Sequence, residues 1–123
     1  MPTADPLPSN SLFTRLEELK RETDSEFVIE LIDIFLAETP KQIQTIASSL
    51  TTQSFPSLMI TAHTLKGSSL NLGAKELGAL CLKLEELGRA GKPIPENTST
   101  AEIEVEFENV KSMLLAYKQN HQE

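Results

Sequence analysis

The chain has 123 residues, a length that builds one domain around one core. Hydrophobic residues make up 39% and charged residues 24%, the balance of a soluble globular protein, and no apolar run nears the roughly 20 residues of a membrane span. The formal net charge is -7, with acids spread along the whole chain and no stripe of lysine and arginine; this argues against DNA or RNA as a partner.

In chain order, Met1 to Ser9 carries Pro2, Pro6 and Pro8 and reads as an extended leader over residues 1–10. It lacks the basic start and apolar stretch of a signal peptide, so a cytoplasmic location is expected. Asn10 is a candidate N-cap for a short helix from Ser11 to Glu22, with Leu12, Phe13, Leu16 and Leu19 on one side. Thr23-Asp24-Ser25-Glu26 fits a capping box. A long helix then places Phe27, Leu31, Ile34, Phe35, Ile43, Ile46 and Leu50 at helical spacing. The pattern resumes in phase beyond Pro40, which predicts a bend rather than an end.

Ser54-Phe55-Pro56 opens a third helix, where proline in the first turn costs little. Its stripe is Phe55, Leu58, Met59, Ala62 and Leu65. Gly73 marks the turn to a fourth helix carrying Leu77, Leu80, Cys81, Leu84 and Leu87, and Gly88 and Gly91 before Pro93 and Pro95 are read as its stop. Ser99-Thr100-Ala101-Glu102 is a second capping box. The last helix follows with Ile103, Phe107, Val110, Leu114 and Tyr117. No segment alternates as a strand does. The expected fold is all-α: an antiparallel four-helix bundle over residues 11–119 with an additional short N-terminal helix, and a frayed tail at 120–123. Cys81, the only cysteine, excludes an intramolecular disulfide and reads as a small core residue.

Two histidines occur. His121 lies in a polar tail with nothing evident around it. His63 falls at the flank of the third helix, largely in solvent, with Lys66 and Gly67 as its neighbours at i+3 and i+4. Glycine inside a helix costs ~1 kcal/mol relative to alanine. Here it would leave room over the imidazole for a bulky group bonded to the ring, and Lys66 would put a positive charge beside that group. This suits a phosphoryl group on an exposed nitrogen nucleophile. Spacing alone leaves open an ordinary surface histidine beside a glycine that serves helix packing.

The stretch "AHTLKGSSLNLGA" closely resembles the signature of histidine-containing phosphotransfer (HPt) domains, the phosphocarriers of multistep two-component relays. The match comprises His63, Lys66, Gly67, Ser68, Ser69 and Gly73, and extends to "LCLKLEELGRAG" at Leu80–Gly91 and "FVIELIDIFLAETP" at Phe27–Pro40. It covers most of the chain, from about Leu12 to Tyr117.

The resemblance implies an α-helical bundle whose histidine takes a phosphoryl group from one receiver-domain aspartate and passes it to another. It implies His63 as acceptor, Lys66 as the charge that stabilises the phosphoryl group and Gly67 as the space beside the ring. It implies no cofactor of the chain's own, since the Mg²⁺ that assists belongs to the receiver. Well-known members orient the imidazole with a glutamine twenty-two residues after the histidine; here that position is Glu85. A carboxylate could fix the tautomer by accepting Nδ1–H, while adding negative charge near the phosphoryl group. Arg89, one turn on, either serves the site or pairs with Glu85. Ser69 is expected to pack closely. Ile60, Thr64 and Leu70 neighbour His63. Ile60 and Leu70 are expected in an apolar patch that docks a receiver, the alternative being that they pack under the first helix.

The expected partners are response-regulator receivers and possibly a hybrid histidine kinase, with no membrane and no nucleic acid, and the chain is expected to be a monomer. The motif style points to a bacterial origin, and Met1 with its leader to a free-standing protein. No phosphate-binding glycine loop or kinase machinery is present, so the chain is expected to be a carrier and not an enzyme. A di-iron bundle would need Glu-x-x-His pairs, but Ile60 and Lys118 stand three residues before the two histidines. The remaining alternative is a helical adaptor that binds receivers or other signalling proteins without phosphotransfer.

Overall fold

The first helix, α1, spans Pro8–Glu22, in a computed structural model that describes residues 8–121, with side chains from residue 11 onward. It starts three residues earlier than the Asn10 cap predicts. Proline has no N–H and its fixed φ suits a first helical position, so Pro8 opens the helix and Asn10 lies inside it. The rest of the predicted leader lies outside the described residues. Leu12, Leu16 and Leu19 are buried, and Phe13 is exposed.

Helix α2 (Ser25–Thr52) runs unbroken through Pro40. Its cap is Asp24 rather than Thr23: Asp24 Oδ1 accepts the Phe27 N–H at 2.8 Å, while the Thr23 hydroxyl turns back to donate to the Leu19 carbonyl at 2.6 Å. Helix α3 (Phe55–Asn71) has proline in its first turn, as expected, and buries Leu58, Ala62, Leu65 and Ser69. Gly73 makes the turn to α4 (Lys75–Ala90) at a φ of +86°, and a Cβ there would lie 2.7 Å from Arg15 Cβ and 2.8 Å from the Ser11 carbonyl oxygen. Both the left-handed turn and the close passage of α1 require glycine. Helix α4 ends at Gly91, but Gly88 is buried inside it and stops nothing. The glycine count at this helix end concealed a packing contact.

The connection from α4 to α5 (Ala101–His121) is pinned by Ile94, which is buried between two prolines. The Ile94 N–H donates to Gln53 Oε1 at 2.8 Å, and Gln53 Nε2 donates back to the Ile94 carbonyl at 3.3 Å. At the start of α5 the Thr100 hydroxyl donates to Glu104 at 2.5 Å, in place of the Ser99–Glu102 reciprocal pair expected from the sequence. All five apolar positions predicted for α5 are buried.

Among the described residues there are five helices and no strand. Helix α2 packs on α3 and α5, and α4 packs on the same two, which closes a ring of four around one core. The α2–α3 and α3–α4 connections are two and three residues long, so these neighbours run antiparallel. Helix α1 rests against α2, α4 and α5. The Phe35 and Phe107 rings, 6.1 Å apart and tilted by 52°, join α2 to α5 across the core. No described helix is long and apolar enough to cross a membrane.

The tail prediction fails at His121. Helix α5 continues through it, its ring stacks on Tyr117 at 3.9 Å, and its Nε2 lies 3.3 Å from Glu17 Oε2. The Tyr117 hydroxyl donates to the same carboxylate at 3.0 Å. Burial and that bond push the phenol up to about 12. His121 thus belongs to a seam between α1 and α5. An i, i+4 stack on a helix leaves a weak trace in a sequence, and Glu17 is a hundred residues away from Tyr117.

Candidate functional site

His63 stands on α3 one turn beyond Met59, on the flank next to the buried Leu58–Ala62–Leu65 stripe. Its side chain is 64% exposed. The facing position on α4 is Glu85, on the same side of that helix as buried Cys81 and Gly88. Glu85 is only 2% exposed, so it is not an ordinary surface acid. A carboxylate removed from water to that degree needs partners. It has three: His63 Nδ1 at 3.0 Å and Arg89 at 2.6 Å, both on Oε2, and Lys66 Nζ at 2.7 Å from Oε1.

The Lys66 ammonium, then Arg89 and His63, hold the Glu85 carboxyl down at about 2, against the opposing pull of burial. Glu85 is therefore ionised at neutral pH and can only accept hydrogen bonds. The proton of the His63–Glu85 bond must then sit on Nδ1. A neutral ring has its lone pair on Nε2, the nitrogen that Glu85 does not hold. The buried acid selects the tautomer and fixes the ring.

Gly67 faces open space: a Cβ built there meets nothing within 4 Å. Room beside the imidazole is thus present. Lys66, expected as the charge that stabilises a phosphoryl group, is 22% exposed and engaged with Glu85. Arg89 also pairs with Glu85 and is 58% exposed. Sequence reasoning offered that i, i+4 pair as one of two options, but missed the Lys66–Glu85 contact, which crosses between helices and has no local signature.

Ile60 is 61% exposed and Leu70 48% exposed, so neither is covered by α1. Leu70 lies across Gly78, whose absent Cβ leaves room for it: a Cβ would be 2.6 Å from Leu70 Cδ2. Thr64 is exposed, with its hydroxyl donating to the Ile60 carbonyl at 3.0 Å. Ser69 is wholly buried. Cys81 is also wholly buried, and burial pushes its thiol up to about 12, which makes it an inert core residue.

Glu85 ties the site to acid stability. Its folded-state value lies below the ordinary 4.5, so its contribution is complete above about 4.5 and is lost as pH falls toward about 2. Urea unfolding followed between those limits should show stability falling in wild type. In Glu85→Gln that component should be absent, and an acid limb of equal slope in both proteins would show that the carboxylate is not held as described.

The Hpt domain family model matches residues 30–113. Histidine-containing phosphotransfer protein 2 of Arabidopsis thaliana is 29% identical over 105 residues, spanning 83% of this chain and 67% of that protein. The phosphorelay protein LuxU of Vibrio harveyi is 28% identical over 89 residues, spanning 72% of this chain and 78% of its own length. Among solved structures, the histidine-containing phosphotransfer protein HptB of Pseudomonas aeruginosa superposes with a TM-score of 0.79 at 26% identity, covering 87% of this chain and 92% of that one.

Proposed function

The chain belongs to the Hpt domain family, the phosphocarriers of phosphorelays, and we propose that His63 Nε2 is the atom that carries the phosphoryl group. The observation that carries this reading is the pairing of an exposed imidazole with a buried, ionised carboxylate on Nδ1. That bond orients the ring and leaves one nucleophilic nitrogen toward solvent.

The proposed reaction has two steps of the same kind. Nε2 attacks the phosphorus of a receiver's aspartyl phosphate, the N–P bond forms, and the aspartate leaves as a carboxylate. The second receiver's aspartate then attacks the phosphorus and the N–P bond breaks. Lys66 and Arg89 flank the ring through their common partner, so positive charge is present where the phosphoryl group would arrive. Gly67 leaves the volume it would occupy. The Mg²⁺ of these steps is assigned to the receiver. Ile60, Leu70 and Thr64 lie on the same helix as His63, and their exposure supports a docking face around the ring. The chain acts as a relay intermediate rather than an enzyme, in the cytoplasm and as a monomer, with receivers and a hybrid kinase as its partners.

The test is direct. The chain is mixed with a panel of Mg²⁺-loaded, phosphorylated receivers, and acid-labile phosphate is followed by mass on the peptide that contains His63. Label on that peptide supports the carrier. Receivers that bind the chain and never label it would favour the helical adaptor.

A further inference from the structure

The charged side chains gathered on Glu85 set the charge balance beside His63. Glu85 on α4 meets the ring, and Lys66 on α3 and Arg89 on α4 meet Glu85. Two cations and one carboxylate leave a single net positive charge. A phosphoryl group adds about -2. One further positive charge would make the phosphorylated site neutral, and among the described residues that contact Glu85 the group left to supply it is the imidazole itself, by keeping a proton on Nδ1 while Nε2 holds phosphorus.

We propose that Glu85 keeps the phosphorylated His63 ring as an imidazolium at neutral pH, so that the phosphoryl group always leaves from a protonated ring. The inference rests on His63 being the phospho-acceptor. Its support is geometric: Glu85 is buried, and its Oε2 lies 3.0 Å from Nδ1. Although the ring is exposed, the carboxylate that faces it is buried and only 3.0 Å away, and at that distance an ionised acceptor favours a positive ring more than a neutral amide does.

The chemistry follows from the leaving group. When the acceptor oxygen attacks a protonated phosphoimidazole, the P–Nε2 electron pair returns to the ring, which departs as neutral imidazole with its Nδ1 proton. From an unprotonated ring the same step would expel an imidazolide anion, a much poorer leaving group, until a proton arrived from solvent. Glu85 thus makes phospho-His63 a ready donor and a short-lived store. Glu85 touches neither phosphorus nor acceptor, so it is a positioning residue.

Phosphoramidate can load the chain without any receiver: Nε2 bonds to phosphorus and ammonia leaves. Loss of phosphate to water is then followed by ³¹P NMR from about pH 6 to about pH 9, in wild type and Glu85→Gln. In wild type the rate should stay level through pH 8. In Glu85→Gln it should match near pH 6 and then fall roughly tenfold per pH unit as the ring loses its proton, so that phosphate persists about thirtyfold longer at pH 8. The ¹⁵N spectrum of phosphorylated wild type should show a protonated Nδ1 and a positive ring at pH 8. If the glutamine variant does not fold, that wild-type spectrum decides alone.

A neutral phosphoimidazole in wild type at pH 8, or the same pH profile in both proteins, overturns the proposal. A ring that phosphoramidate labels but that no receiver charges or discharges sinks the relay reading and leaves this one standing. A ring that phosphoramidate cannot label removes the nucleophile from both.

Discussion

Replacing His63 by glutamine should leave a folded bundle that still binds receivers and takes no phosphate from them. The fold should survive because the side chain is 64% exposed and makes one polar contact. Surface changes of that kind usually move stability by no more than about 0.5 kcal/mol. Glu85 would lose one partner of three and keep Lys66 and Arg89, so its charge would stay compensated. Binding should survive because Ile60 and Leu70, the large exposed apolar side chains nearest along the helix, are unchanged. Chemistry should vanish because an amide nitrogen has no available lone pair with which to attack phosphorus. The pair of measurements is receiver affinity and label on the variant. Affinity near wild type with no label supports the carrier. Label elsewhere on the variant would move the acceptor, and loss of binding would make the imidazole itself part of the docking face.

Spacing made part of the candidate site legible, because that part is local, but it took the family resemblance to set it apart from an ordinary surface histidine. His63, Lys66 and Gly67 lie within two turns of one helix, and a wheel places them together. The five helices were likewise legible from apolar periodicity, since burial of Leu58, Leu65, Leu77 or Val110 leaves a mark every three or four positions. What periodicity does not carry is the state of a polar residue between helices. By periodicity Glu85 is one acid in an acidic chain, and only the family resemblance marked it as a partner for Nδ1. Its burial, and the capture of Lys66 by it, depend on how close α3 and α4 approach. Helix ends were legible only to within a turn. Pro8 and Asp24 displaced the predicted caps because neighbouring residues compete for the same role.

The approach of α3 to α4 rests on Gly88, and its replacement by alanine should be strongly destabilising. A Cβ at Gly88 would lie 2.7 Å from Met59 N, 2.9 Å from the Phe55 carbonyl oxygen and 3.0 Å from Met59 Cα. These are backbone atoms of a helix and cannot rotate aside, so the two helices must part. Overpacking of this kind costs about 1–3 kcal/mol, beyond the ~1 kcal/mol of helix propensity that alanine would return. The strain falls on the site, because Met59 is one turn before His63 and Gly88 one turn after Glu85. Separation would stretch the 3.0 Å and 2.7 Å contacts that Glu85 makes to α3. Gly67→Ala should do the reverse. It has the same helical setting and nothing within 4 Å, so the propensity gain of about 0.5–1 kcal/mol should appear as added stability. Gly67→Leu should keep a stable helix and cut phosphotransfer steeply by filling the space over the ring. Thermal or urea unfolding of the three variants, with phosphoryl transfer measured beside it, separates the roles. Gly88→Ala at wild-type stability would mean that the helices are not in backbone contact there, and Gly67→Leu with undiminished transfer would mean that the open space beside His63 serves nothing.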